Sequence, residues 1–305
     1  MSLRARPCSG PADLPGIFEL LLAGESHGYA DTELRSIELR VLFNNPAFDV
    51  GRLTLLLEDG EALPAAFALL WQGRFLAMLV RPDQRGELEE RIIEWAAERA
   101  RASDWPAGVQ PSLTALCRDD DALSREIYER LGFSLRDLEL RMARDLHEPI
   151  PEPVFPEGFT LRSLDPATEL KDWLRLYSTE IGDRPAILER WRRTRDDQDY
   201  DRSLDLVAVD PSGKLAAMCY CSIPSFETGR STVKEGRTEP IAVAAPYQRR
   251  GLGRAMVLNG LHLLKARGMD QALLTTDSDN LPAHRLYESL GYRVTYNACW
   301  YAKRI

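Results

Sequence analysis

The stretch Pro246-Tyr247-Gln248-Arg249-Arg250-Gly251-Leu252-Gly253-Arg254-Ala255-Met256 sets three arginines and two glycines at the start of an apolar helical run. Glycines at 251 and 253 remove side chains where backbone must come close to a ligand. The first turn of a helix leaves N–H groups unpaired, and the helix dipole adds partial positive charge there. Arg249, Arg250 and Arg254 add full charges. The combination suits a pyrophosphate. The plain alternative is a glycine-bearing turn with solvated arginines. The stretch is not a Walker loop, since no Gly-Lys-Ser/Thr follows, and the G-x-G-x-x-G spacing of the dinucleotide fingerprint is absent.

Other chemistries find little support. Four histidines lack paired spacing, so no metal is expected. The cysteines are Cys8, Cys117, Cys219, Cys221 and Cys299, an odd number without zinc-type spacing. Cys219 and Cys221 fall on one side of a strand-like run. Reduced, buried thiols in a cytoplasmic protein are expected. The opening MSLRARPCSG has no apolar core, so no signal peptide is expected. The longest apolar run, Leu63 to Trp71, falls short of the ~20 residues that span a bilayer. A soluble protein without a membrane partner is expected.

The elements that must position the loop repeat. A chain of 305 residues suits two domains of ~150. HEPIPEPVFPEG (His147 to Gly158) carries four prolines and reads as a linker. It divides the chain into domains at 1–150 and 151–305. In each half an apolar strand ends in Val (Val80, Val243), and a polar residue comes five positions later (Arg85, Gln248). A helix comes next. Leu88, Ile92, Trp95 and Ala96 share one face of the first; the second runs from about Leu252 to Arg267, before Gly268. Buried strands are expected at Ser112–Cys117 and Gln271–Thr276. A second helix then ends in Ile127-Tyr128-Glu129-Arg130-Leu131-Gly132-Phe133 or Leu286-Tyr287-Glu288-Ser289-Leu290-Gly291-Tyr292. The offsets, 163 residues at Val and 159 at Tyr, mark a duplicated α/β domain. The turn Asp210-Pro211-Ser212-Gly213 joins two strands, so part of each sheet is antiparallel and a plain doubly wound sheet is not expected.

Charge separates the halves. Residues 1–150 hold 17 Arg, no Lys and 26 acids, a balance of −9; the remainder has 22 basic and 21 acidic residues, +1. A chain at −8 lacks the basic face that nucleic acid requires.

Gln248-x-x-Gly251-x-Gly253, preceded by a strand ending at Val243, resembles the coenzyme A pyrophosphate loop of the GCN5-related N-acetyltransferases (GNAT). A second motif agrees. Ser278-Asp279-Asn280-Leu281-Pro282-Ala283 opens a helix, with Asp279 or Ser278 as N-cap and Pro282 in the first turn. The family has an Asn, an Ala, a Tyr and an L-G-F/Y ending at this spacing. The resemblance covers the second half and extends, decayed, to the first. It is closest to tandem family members.

That resemblance implies an α/β fold of two tandem GNAT-like domains, each a mixed, mostly antiparallel sheet flanked by helices. The activity it implies is transfer of an acetyl group from acetyl-CoA, as co-substrate, to a primary amine of a small molecule. Protein N-termini or lysines are the alternative acceptors, and a coenzyme-binding sensor without turnover is the alternative outside enzymes. By the same resemblance Glu239, four residues before Val243, is the expected base, with Glu235 a more distant alternative. Tyr287 is the expected acid. Coenzyme contacts are expected from Ile241, Ala242, Val243, Gln248, Arg249, Arg250, Gly251, Leu252, Gly253, Arg254, Asn280 and Ala283. The N–H of Val243 would polarise the thioester. His262 and His284 are expected at the surface or in helix packing.

The first-half loop, Arg81 to Arg91 (RPDQRGELEER), lacks both aligned glycines and gains acids. Each carboxylate about 4 Å from a phosphate charge costs roughly 1 kcal/mol in water and ~4 at an effective dielectric of 20. A helix dipole returns only ~0.3–1 kcal/mol. The first domain is therefore expected not to bind coenzyme. The other readings of those glutamates are a cation site and solvated acids at a helix start.

Overall fold

Continuous apolar runs on both sides of the Asp210–Gly213 turn make a hairpin buried on both faces, Asp205–Val209 and Leu215–Ser222. In the computed structural model, residues 3–30, 35–105, 108–182, 185–225 and 233–305 are described. Two compact units form: residues 1–140 with 296–305, and residues 141–295. The division differs from one at residue 150. It falls ten residues earlier, within a strand, and the last ten residues join the first unit.

In the first unit the strands are β1 (Arg4–Arg6), β2 (Thr54–Glu58), β3 (Pro64–Trp71), β4 (Phe75–Val80) and β5 (Ser112–Arg118). They lie in that order, antiparallel except for the parallel pair β4–β5. A further strand, β6, spans Ser134–Asp145 and contains the unit boundary. The second unit repeats the pattern. Strands β7 (Thr160–Ser163), β8 (Asp205–Val209), β9 (Leu215–Ser222), β10 (Glu235–Val243) and β11 (Gln271–Asp277) are antiparallel except for β10–β11. The final strand, β12 (Arg293–Arg304), pairs antiparallel with β5 from Ala298↔Arg118 to Arg304↔Ser112. It thereby completes the first unit's sheet.

Helices cover the sheets. The first unit has α1 (Leu14–Ser26), α2 (Ser36–Phe43), α3 (Val50–Leu53), α4 (Leu88–Arg101) and α5 (Ala122–Arg130). In α4 the apolar face Leu88, Ile92, Ala96 is buried against β3–β5, with Trp95 at its rim. The second unit has α6 (Pro166–Glu180), α7 (Pro185–Thr194), α8 (Leu252–Ala266) and α9 (Leu281–Ser289). Trp173, Leu174 and Tyr177 of α6 recur at helical spacing and pack on Val207, Met218 and Ala242. Helix α8 lies close on the opposite face. A Cβ on Gly260 would stand 2.9 Å from Cys221 Sγ and 3.2 Å from Thr238 Cγ2, so glycine permits that approach. All five cysteines are free and buried, and the Sγ atoms of Cys219 and Cys221 are 3.9 Å apart. Among the described residues no helix is long and apolar enough to cross a membrane, and no cluster of His, Cys, Asp or Glu is built to hold a metal.

Candidate active site

After Val243 the chain makes one 3-10 turn, Ala245–Tyr247, and enters α8 at Leu252. Arg249 has φ 56° and Gly251 φ 89°. A non-glycine residue in the left-handed region is held there at a cost, a feature that clusters at ligand sites. The two glycines, read alike from sequence, do different work. Gly251 is the N-cap of α8, and its own backbone requires glycine; an added Cβ would meet nothing within 4 Å. Gly253 has no such demand. Its Cβ would meet Leu286 Cδ2 and Val243 Cγ2 at 3.5 Å, an ordinary contact. The protein itself therefore has no need of glycine at 253.

Arg249, Arg250 and Arg254 pair with no carboxylate among the described residues. The Arg250 guanidinium lies 4.9 Å above the Phe159 ring, and Arg254 Nη1 donates to Ser289 Oγ at 2.8 Å. Leu252 is buried, so only its backbone is available to a ligand. Gln248 Nε2 donates to Val243 O and to Glu180 Oε2, each at 3.0 Å. Glu180 Oε1 accepts from Ala245 N at 3.0 Å. Tyr247 donates to Asp210 Oδ2 at 2.6 Å and ties the loop to the β8–β9 turn. Hydrogen bonds from Ser212 and Tyr247 hold Asp210 well below the usual carboxylate range.

Below the loop, β10 and β11 part. Their parallel register runs from Glu235↔Gln271 to Arg237↔Leu273. Against β9, the β10 register shifts between Thr238 and Ile241. Ile241, Ala242 and Val243 then pair with Cys219, Met218 and Ala217. Ala244 N donates to Ala216 O at 2.9 Å, so strand alternation turns the Val243 N–H to the other edge, where β11 has departed. Glu239 fills the break. Its Oε2 accepts from Thr275 N at 2.6 Å, and its Oε1 pairs with Arg237 Nη1. Glu235 lies before the break, inside the β10–β11 ladder.

Tyr287 is 8% exposed on α9, with its ring 5.9 Å from Tyr292 in an edge contact. Tyr292 in turn is hydrogen-bonded to Thr238 Oγ1 at 2.6 Å. Burial pushes the Tyr287 phenol well above its ordinary range, and the Glu239 carboxylate pushes the same way. No described residue hydrogen-bonds its hydroxyl. At the aligned position the Tyr128 hydroxyl is spent, donating to Leu116 O at 3.2 Å. Asn280 itself caps α9, its side chain accepting from Ala283 N at 3.3 Å, which corrects the expected cap at Asp279 or Ser278. The cap uses the amide oxygen and leaves the amide nitrogen. The ring nitrogens of His262 and His284 lie on the Pro151 and Asp277 carbonyls, at 3.1 and 2.9 Å.

The first unit's loop is closed by its own side chains. Glu89, 2% exposed, accepts from Gly86 N at 2.7 Å and from Arg85 Nε at 3.3 Å. Arg85 Nη2 also reaches Asp121 Oδ2 at 2.7 Å and Ser124 Oγ at 2.9 Å. Tyr29 lies 4.0 Å from the Arg85 guanidinium and donates to Val80 O at 2.6 Å. Glu89 is thus no solvated acid; its carboxylate takes up a backbone N–H of the loop. Glu90 does face solvent, paired with Arg130 at 2.5 Å. Two residues outside the expected set, Arg237 and Glu180, also reach the site. An arginine two residues before a candidate base, on the same strand face, is a usable signal for Arg237. Glu180 lies 68 residues from Gln248 and has none.

Residues 167–292 match the family model for the Acetyltransferase (GNAT) family. A mycothiol acetyltransferase of Salinispora tropica is 30% identical over 237 residues, covering 76% of this chain and 68% of that protein. One of Thermobispora bispora is 28% identical over 304 residues, covering 96% of each. One of Salinispora arenicola is 31% identical, but the match spans 64% of its length. A GCN5-related N-acetyltransferase structure from Sphaerobacter thermophilus superposes with TM-score 0.73 at 24% identity, covering 99% of this chain and 95% of that one. A tandem GNAT protein from the clavulanic acid biosynthesis pathway gives 0.73 at 14%, covering 99% and 98%. The chain belongs to the GNAT acetyltransferase family. By class it is an acetyl-CoA-dependent N-acetyltransferase, with acetyl-CoA as the family's co-substrate.

Proposed function

We propose that the second unit transfers an acetyl group from acetyl-CoA to a primary amine on a small molecule, and that the first unit binds no coenzyme. One observation carries the first statement: where β10 and β11 part, the carboxylate of Glu239, in the strand that leads into the loop, is anchored on Thr275 N, and the buried Tyr287 hydroxyl has no described hydrogen-bond partner. The loop above fits a pyrophosphate. It offers the unpaired N–H groups of the first α8 turn at Leu252, Gly253 and Arg254, a glycine the protein does not need, and guanidiniums at 249, 250 and 254 that pair with no described carboxylate.

In this reading the backbone of Ile241, Ala242 and Val243 pairs with the pantetheine arm as a strand would. Gln248, the Asn280 amide nitrogen and Ala283 line the same path. A free alkylamine, with a pKa near ~10, arrives protonated. Glu239 takes that proton directly or through water. The amine nitrogen then attacks the thioester carbonyl carbon, with the Val243 N–H donating to the carbonyl oxygen. The C–N bond forms, the C–S bond breaks and the departing sulfur takes the phenolic proton of Tyr287, while the second proton of the amine nitrogen leaves through water and restores the phenol.

The small-molecule acceptor is supported by the mycothiol acetyltransferase relatives, one of which matches along 96% of both chains. A panel of small amines and peptides, supplied with acetyl-CoA and read by mass spectrometry, tests it. Acetylated small amines are expected; acetylation of peptides alone would overturn the acceptor class. For the first unit, the carboxylate of Glu89 on Gly86 N supports exclusion of an anionic ligand. Calorimetry should return one coenzyme site per chain, and two sites would refute it.

A further inference from the structure

We infer that Arg237 is a positioning residue that sets the orientation of the Glu239 carboxylate. The inference rests on the assignment of Glu239 as base. A base must present a lone pair in a fixed direction, and a glutamate side chain has three rotatable bonds with which to lose it. Glu239 is held at both oxygens. One anchor is the Thr275 N–H at 2.6 Å, a backbone donor left without a strand partner where β11 parts from β10. The other is the Arg237 guanidinium on Oε1. Arg237 belongs to the last pair of the parallel ladder, Arg237↔Leu273, and faces Ser222 across the β9 pairing. Its backbone is therefore fixed immediately before the break, and its side chain reaches two residues forward into it.

The pair is sheltered: the side chains of Arg237 and Glu239 are 17% and 24% exposed. An exposed ion pair at a strand end would stabilise little. Here one member occupies the gap in the sheet, and the two anchors together define the carboxylate plane. With Arg237 removed, Glu239 keeps a single anchor and can rotate about it. Small misplacements of a catalytic group lower rates by up to ~10²-fold. The pyrophosphate loop begins beyond Val243, so coenzyme affinity should not change.

A double-mutant cycle tests the inference. Arg237→Ala should lower kcat roughly 10- to 100-fold with the KM for acetyl-CoA unchanged, and millimolar guanidinium should restore part of the loss. Arg237→Lys, which keeps a cation but not the planar fork, should fall between wild type and Arg237→Ala. Glu239→Gln should be slow, and Arg237→Ala/Glu239→Gln no slower than Glu239→Gln alone. Multiplying losses in the double variant would show that Arg237 acts elsewhere and overturn the inference. Should Arg237→Ala fail to fold, Arg237→Lys and its KM-against-kcat split decide. Wild-type turnover in Glu239→Gln would remove the base assignment and this inference with it. A slow Glu239→Gln beside an unimpaired Arg237→Ala would remove this inference alone.

Discussion

Tyr287→Phe isolates a single atom. The ring that packs at 5.9 Å on Tyr292 is retained, and no described group loses a hydrogen bond. The fold should therefore lose less than the roughly 0.5–1.5 kcal/mol of an average protein hydrogen bond. The chemistry should suffer far more. Without a general acid the sulfur leaves as a thiolate, and the loss of a positioned proton donor costs about 10²–10⁴ in rate, or ~3–5 kcal/mol of barrier at ~1.4 kcal/mol per decade. The assay is continuous detection of released coenzyme thiol with both substrates saturating, alongside calorimetry of coenzyme binding and a thermal melt. The expected pattern is a lowered kcat with unchanged coenzyme affinity and melting. Tyr128→Phe is the matched control. It breaks a bond to Leu116 O at 3.2 Å, so it should cost the fold about 1 kcal/mol and leave kcat unaltered. Wild-type turnover in Tyr287→Phe, or an equal slowing in Tyr128→Phe, would refute the assignment.

Three further outcomes are expected. Because burial raises the Tyr287 pKa, its proton is kept beyond the ordinary tyrosine value of ~10 and lost only as pH rises through the higher folded value; kcat should show no falling limb near pH 10, and such a limb in a pH–rate profile would argue against a buried acid. Gly253→Ala should leave the melt unchanged or raised by up to ~1 kcal/mol equivalent while weakening coenzyme binding by calorimetry, whereas Gly251→Ala, at φ 89°, should destabilise by roughly 1–2 kcal/mol as well; unweakened binding in Gly253→Ala would mean that the coenzyme does not approach that backbone. Arg85→Ala leaves Glu89 and Asp121 buried without their cation, so denaturant unfolding should show a loss of ~3–5 kcal/mol with the acetyl-CoA KM unchanged; a loss below ~1 kcal/mol would show the network to be incidental.

Much of the site lay open in local pattern. The strand into Val243, the glycine-bearing turn and α8 are contiguous, and each is set by short-range rules of periodicity and capping. The second motif, Asn280 to Tyr292, is equally local. What escaped were groups joined through space. Glu89 reads as a solvated acid until Arg85, itself held by Asp121 36 residues away, pairs with it. Arg237 reads as one of many arginines until the β10–β11 break places Thr275 beside Glu239.

The amino-acid order alone was enough for the duplication and the class of ligand, because strand, turn and helix signals act over a few residues and recur at matching offsets. It was not enough for the unit boundary. The proline-rich run after His147 looks like the division, yet residues 296–305 pair with β5 in the first unit, since strand pairing is decided by edges that distant segments supply. Nor could it separate the two loop glycines. One answers to its own backbone angle and the other to the space around it, and both are properties of the folded chain.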